Sequence, residues 1–92
     1  MLVQDENKLS LSGDLTRRSV SELFNRPPKF EGKSYSLDLT EVKAVDSAGV
    51  SLLLHWNKQA KAASALLVLQ NPPEFLINLL KLYNAEQLFE LH

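Results

Sequence analysis

Between two stretches of helical character lies the uncharged run Ala65-Leu66-Leu67-Val68-Leu69-Gln70. It is too short for a helix of its own and reads as a strand buried on both faces. The stretch before it, Ser47 to about Ala63, places apolar residues at helical spacing. The stretch after it opens at Asn71-Pro72-Pro73, where asparagine suits a cap and proline a first turn that needs no amide hydrogen. Glu74 to Tyr83 continues as a strongly apolar helix, and Asn84 suits its left-handed C-terminal cap. A strand flanked by helices implies parallel pairing through right-handed crossovers.

The N-terminal part changes period quickly. Leu2 and Val3 precede Asp5-Glu6-Asn7, and Leu9 and Leu11 alternate with polar residues, which predicts a hairpin whose second strand spans about Lys8 to Ser12. Gly13-Asp14 is expected to break it. Thr16 is placed to cap a short helix, Arg17 to Asn25, with Val20, Leu23 and Phe24 on its apolar side. Pro27-Pro28 stops that helix, because proline lacks the amide hydrogen and restricts its predecessor. Tyr35-Ser36-Leu37-Asp38-Leu39 alternates as a strand, Thr40-Glu41-Val42-Lys43 reads as a turn, and Leu88, Phe89 and Leu91 pack a short tail. The expected architecture is α/β: a small mixed sheet of about four strands with an antiparallel N-terminal edge hairpin, covered by three helices. No repeat or linker interrupts it, so residues 1–92 are read as one domain.

Composition removes several classes of function. The net charge is −1, with Lys plus Arg at 10 and Asp plus Glu at 11. That balance argues against nucleic acid or anionic lipid held by bulk charge. There is no cysteine, so disulfides, thiolate nucleophiles and Cys-built zinc sites are excluded, and His55 and His92 alone are too few for a metal site. No cofactor is expected. The most apolar stretch, Phe75 to Tyr83, has about half the length needed to span a bilayer and contains Asn78 and Lys81, so direct membrane insertion is not expected. Met1 to Glu6 lacks the basic and apolar regions of a secretory signal, and a cytoplasmic location is expected.

The helix from Ser47 carries the informative pattern. At about 100° per residue, Leu52, Leu53, Trp56, Ala60 and Ala63 share one side, the width of a core stripe. Ser47, Ser51, His55 and Lys58 fall on the other. Leu54 is out of place among these polar residues, and Val50 lies on its flank. Two readings follow: the helix tilts and buries both, or the pair is the apolar centre of a binding patch with a hydroxyl and charged rim. Asp46-Ser47 opens the helix. Its plain reading is capping of otherwise unpaired amides; its functional reading is an exposed Ser47 hydroxyl, where an added phosphate would alter any interface covering it. Arg17-Arg18, poorly placed against a helix dipole at the expected helix start, hints at a carboxylate partner.

Strand, Asp38-Leu39-Thr40, a short gap, Val45-Asp46-Ser47-Ala48-Gly49 and a leucine-rich helix together resemble the STAS domain family of sulfate transporters and anti-sigma-factor antagonists. The resemblance runs from Leu9-Ser10-Leu11-Ser12-Gly13-Asp14-Leu15 to the final helix. Val50-Ser51-Leu52-Leu53-Leu54-His55 and Leu79-Leu80-Lys81-Leu82-Tyr83-Asn84 bring it nearest to the small cytoplasmic subunits of Mla-type phospholipid ABC transporters. The resemblance implies a non-catalytic subunit that binds the ATPase subunit of an ABC transporter, peripheral to the inner membrane, in a pathway of outer-membrane lipid asymmetry. It implies a partner surface at Ser47, Val50, Ser51 and Leu54, and more loosely His55 and Lys58. The anti-sigma-factor antagonists carry a phosphorylatable serine at the position of Ser47, which implies a phospho-switch as the alternative.

An enzyme is the third class. The chain has no phosphate-binding glycine loop, and its only glycines are Gly13, Gly32 and Gly49. Asp46 and Ser47 are adjacent, which does not make a base and nucleophile. His55 lies two turns on and about 80° round the helix, out of reach of Ser47 for proton transfer. No catalytic residue is expected.

Overall fold

Leucines at alternate positions set the sheet. Leu9, Leu37, Leu69 and Leu91 are register partners on four neighbouring strands and form one row across it. The computed structural model describes residues 1–92. Its elements are β1 (Leu2–Asp5), β2 (Lys8–Leu15), α1 (Val20–Asn25), β3 (Ser34–Val45), α2 (Ser47–Ala62), β4 (Leu66–Gln70), α3 (Glu74–Leu82), a 3-10 turn (Glu86–Leu88) and β5 (Glu90–Leu91). The strand order is β1-β2-β3-β4-β5. β1 is antiparallel to β2, and the other three pairs are parallel.

This is the expected mixed sheet with an N-terminal hairpin and three helices, with one strand more than anticipated. The tail residues Glu90 and Leu91 form β5, and the His92 amide donates to Leu69 O at 2.9 Å. The chain reaches that edge through the turn after α3. Asn84 adopts a left-handed conformation (φ 55°), and the Ala85 and Asn84 amides donate to Leu80 O and Lys81 O. That is the Schellman closure anticipated at Asn84. Ser64 (φ 57°) closes α2 in the same way, donating to Lys61 O while Ala65 donates to Ala60 O.

Several boundaries differ from the sequence reading. β2 runs through Gly13-Asp14 to Leu15, with register shifts at Ser10/Ser12 and Gly13/Asp14 and Gly13 at φ 90°. The glycine makes a bulge that keeps the strand paired rather than ending it. β3 likewise continues through Thr40–Lys43, because the extended β2 gives that segment a partner and buries Val42. Thr16 does not cap α1. It opens a turn in which the Ser19 and Val20 amides donate to Thr16 O, and the Ser19 hydroxyl takes the Thr16 amide at 3.0 Å. Arg17 and Arg18 therefore precede the helix. Asn71 does not cap α3 either. It is left-handed (φ 54°) and its side chain donates to Asp38 Oδ1 at 3.3 Å, while Pro73 is the cap residue.

The larger correction concerns β4, which is covered on one face only. Leu67 and Leu69 face the helices and are fully buried, whereas Leu66 is 50% exposed and Val68 half-buried. The same parity holds on β2 and β3, where Leu9, Leu11, Leu37 and Leu39 are inside and Lys8, Ser10, Ser36 and Asp38 are on the open face. All three helices pack on the leucine side, with Val20, Leu53, Trp56, Leu76 and Leu80 in one core cluster. Leu69→Ala should cost about 2–5 kcal/mol in urea denaturation. Leu66→Ala should change stability by less than about 0.5 kcal/mol; comparable losses at the two positions would mean that the second face is covered.

Candidate docking face at the start of α2

β3 hands over to α2 at Asp46, which is extended (φ −120°, ψ −170°). Its amide donates to Leu15 O at 3.1 Å, and its carbonyl takes the first helical bond from Val50. The carboxylate is divided between two elements. Oδ1 accepts from the Ala48 amide at 2.9 Å and the Gly49 amide at 3.2 Å. Oδ2 accepts from the Arg17 amide at 3.0 Å, which ties the β2–α1 turn to the helix start. The Arg17 amide, then those of Gly49 and Ala48, with the Arg17 charge adding, hold the Asp46 carboxyl below the usual carboxylate range against a partial loss of solvent. Asp46 meets the arginine pair only through the Arg17 backbone amide, and neither guanidinium forms an ion pair with it.

Asp46 caps α2 as expected; Ser47 does not. It is the first helical residue, and the cap bonds to Ala48 and Gly49 both belong to Asp46. Its exposed side chain shares a cleft of about 280 Å³ with Thr16, Arg17, Arg18, Asp46 and Ala48. Gly49 has a different necessity. A Cβ at that position would overlap Leu15 O and lie 2.9 Å from both Leu15 Cβ and Val45 Cγ1. Of the Asp-Ser-x-Gly element, then, the acid caps, the glycine permits the helix to lie against β2 and β3, and the serine is left free.

That close approach decides which residues form the outer face. Val50, one position beyond Gly49, is drawn into the core at 3% exposure, so it is not part of a surface patch. Leu54 is half-buried and packs against the core with one side still open. Ser47, Ser51, His55 and Lys58 are all exposed around it. The expected face therefore loses Val50 and keeps Leu54 as its apolar floor. It also gains a residue. Phe24 of α1, read from sequence as inward-facing, is 38% exposed, and its ring centroid lies 5.3 Å from that of His55, at an interplanar angle of 46°. The sequence signal was ambiguous there, because α1 is too short for its period to separate Phe24 from buried Val20. Trp56 belongs to the core, as anticipated.

No group of three or more His, Asp or Glu side chains is arranged to hold a metal ion, and no helix is long and apolar enough to cross a membrane.

Comparison with known proteins identifies the family. A family model described as "Mlab, STAS domain" matches residues 2–90. The intermembrane phospholipid transport system binding protein MlaB of Escherichia coli K12 is 32% identical over 82 residues, which cover 89% of this chain and 84% of MlaB. MlaB of Shigella flexneri matches to the same extent. Among solved structures, the unphosphorylated anti-sigma factor antagonist SpoIIAA superposes over 100% of this chain and 86% of its own, with a TM-score of 0.66 at 16% identity. The chain belongs to the STAS domain family. It is a distant relative of the MlaB-like STAS subunits.

Gly49→Ala should destabilise the fold by about 1–3 kcal/mol, because the obstructing atoms include backbone. Ser47→Ala should stay within about 0.5 kcal/mol of wild type. Chemical denaturation of the two variants separates a packing glycine from a free serine. The Asp46 carboxyl titrates lower in the folded chain than in the unfolded one, so its contribution to stability is present above the unfolded value and is lost as pH falls through the lower folded value. Thermal melts across the acid range should fall more steeply with pH for wild type than for Asp46→Asn; equal slopes would contradict the assignment.

Proposed function

We propose that the chain is the small STAS subunit of a phospholipid ABC transporter of the Mla type, where it binds and regulates the ATPase subunit. It would be held at the cytoplasmic side of the inner membrane by that complex, and it would serve outer-membrane lipid asymmetry without touching lipid. The likeness to MlaB, named as a binding protein of intermembrane phospholipid transport, supports the pathway. The observation that carries the docking surface is the outer stripe of α2, where Ser47, Ser51, His55 and Lys58 surround a partly open Leu54. Such a subunit acts by binding one conformation of its partner better than another, which shifts the equilibrium between them without chemistry of its own.

A second reading uses the same face. Ser47 is exposed beside Arg17 and Arg18 in one cleft, which suits a phosphorylatable serine of the anti-sigma-antagonist kind. A phosphate there adds about −1.5 to −2 charges and alters what the face accepts. Incubation with the serine kinase encoded nearest the gene, followed by intact-mass measurement of wild type and Ser47→Ala, reads this out directly.

For the main reading, Leu54→Asp and Ser47→Glu should each abolish co-purification with the transporter ATPase while far-ultraviolet circular dichroism stays unchanged. Because Leu54 also touches the core, Ser47→Glu is the cleaner variant. Normal assembly of both would show that the face is wrong.

A further inference from the structure

The docking face is basic in a chain that is not. Arg17 and Arg18 flank its N-terminal end, and Lys58 and Lys61 its C-terminal end. On a helix of about 100° and 1.5 Å per residue, Lys58 lies about 20° to one side of Ser47 and Lys61 about 40° to the other, with Leu54 between them. Ser47 and Lys58 are about 16 Å apart along the axis at that rise. α2 contains no Asp or Glu from Ser47 to Ala62. The two ion pairs of the molecule, Lys81–Glu86 and His92–Glu90, are both in its C-terminal part, so none of these four cations is paired internally.

The acids nearest these cations are Asp46, Asp14 and Glu22, all at the arginine end of the face. Asp46 already accepts three backbone amides. Glu22 and Asp14 line one cleft together with Arg18, whereas the cleft that Ser47 shares with Arg17 and Arg18 has Asp46 as its one acid. The opposite surface has the reverse character. The open sheet face carries Asp5, Asp38, Glu41 and Glu90 against Lys8 and Lys43. Asp38 is held ionised there by the Thr40 hydroxyl and amide and by Asn71. The sheet face thus carries more acids than bases, while α2 carries lysines and no acid.

Between the lysines the partly open Leu54 provides a small apolar centre, and the Phe24 ring beside His55 gives the face an apolar flank. Separated cations around a small apolar centre match a partner segment that carries carboxylates on both sides of an apolar residue. They match a bilayer less well, since the chain presents an acidic face behind this one and no deep apolar wedge within it. Building on the docking reading above, we infer that the α1–α2 face recognises an acidic, amphipathic helical segment of its partner protein, with an apolar side chain over Leu54 and Phe24 and carboxylates toward Arg17, Arg18, Lys58 and Lys61.

The test titrates the isotope-labelled full chain with two short amphipathic helical peptides of identical leucine pattern, one flanked by glutamates and one by lysines. The glutamate peptide should shift the amide signals of residues 17–24 and 47–61, weaken several-fold as salt is raised, and weaken about three- to tenfold with Lys58→Glu plus Lys61→Glu. Equal response to both peptides, shifts on the open sheet face, or stronger association with phosphatidylglycerol vesicles than with the glutamate peptide would overturn the inference. Co-purification with the ATPase separates the two levels. If Leu54→Asp releases the ATPase while the lysine reversals do not and the glutamate peptide is inert, the acidic-partner inference fails and the docking reading stands. If the glutamate peptide binds α2 as described but the ATPase is held equally by wild type and Leu54→Asp, the docking reading fails and the acidic preference stands.

Discussion

A single carboxylate and a missing side chain fix the position of α2. Asp46 holds the first amides of the helix and the Arg17 amide of the preceding turn at once, and Gly49 lets the helix backbone meet Leu15 and Val45. The rest of the outer surface follows from that contact. Because the helix lies close at its first turn, Val50 is drawn inside and Ser47 is pushed out; because its axis continues over the sheet, Leu54 is left half-covered. Local geometry at four residues is thereby converted into a face with a defined floor and rim.

The sheet supplies the platform. One row of leucines crosses four strands, and every helix packs on that side. Covering a largely parallel sheet on one side only is less common than covering both. Here the uncovered side is relieved by serines and charged residues, with Val3 and Leu66 as its exposed apolar exceptions. The consequence is a molecule with two unlike surfaces: a hydroxyl-rich sheet with more acids than bases, and a helical face whose lysines flank a partly open Leu54. A small protein that works by contact gains selectivity from such a division, because charge orients an encounter before apolar contact is made.

Much of this was legible in the residues. The order of strands and helices, the bounds of α2, the role of Asn84 and the oddity of Leu54 among polar neighbours all rest on local pattern, which sequence records directly. The misreadings have a common cause in tertiary pairing. Gly13-Asp14 and Thr40–Lys43 have the composition of breaks, yet each is kept extended by the other strand across a bulge. Leu66 and Val68 have the composition of a doubly buried strand, but no helix connection places anything over them. Val50 and Phe24 exchanged places for the same kind of reason. A helical wheel gives direction but not depth, and depth was set by Gly49 for one and by the short α1 for the other.

The account stands most directly on hydroxyl-radical footprinting of the chain alone and in the complex it forms with its partner. It predicts that complex formation protects Leu54, Phe24 and His55, while Val3 and Leu66 on the open sheet keep their free reactivity. Protection of Val3 and Leu66, with Leu54 and Phe24 unchanged, would contradict it, because the partner would then bind the acidic sheet and the α2 face would be mere surface.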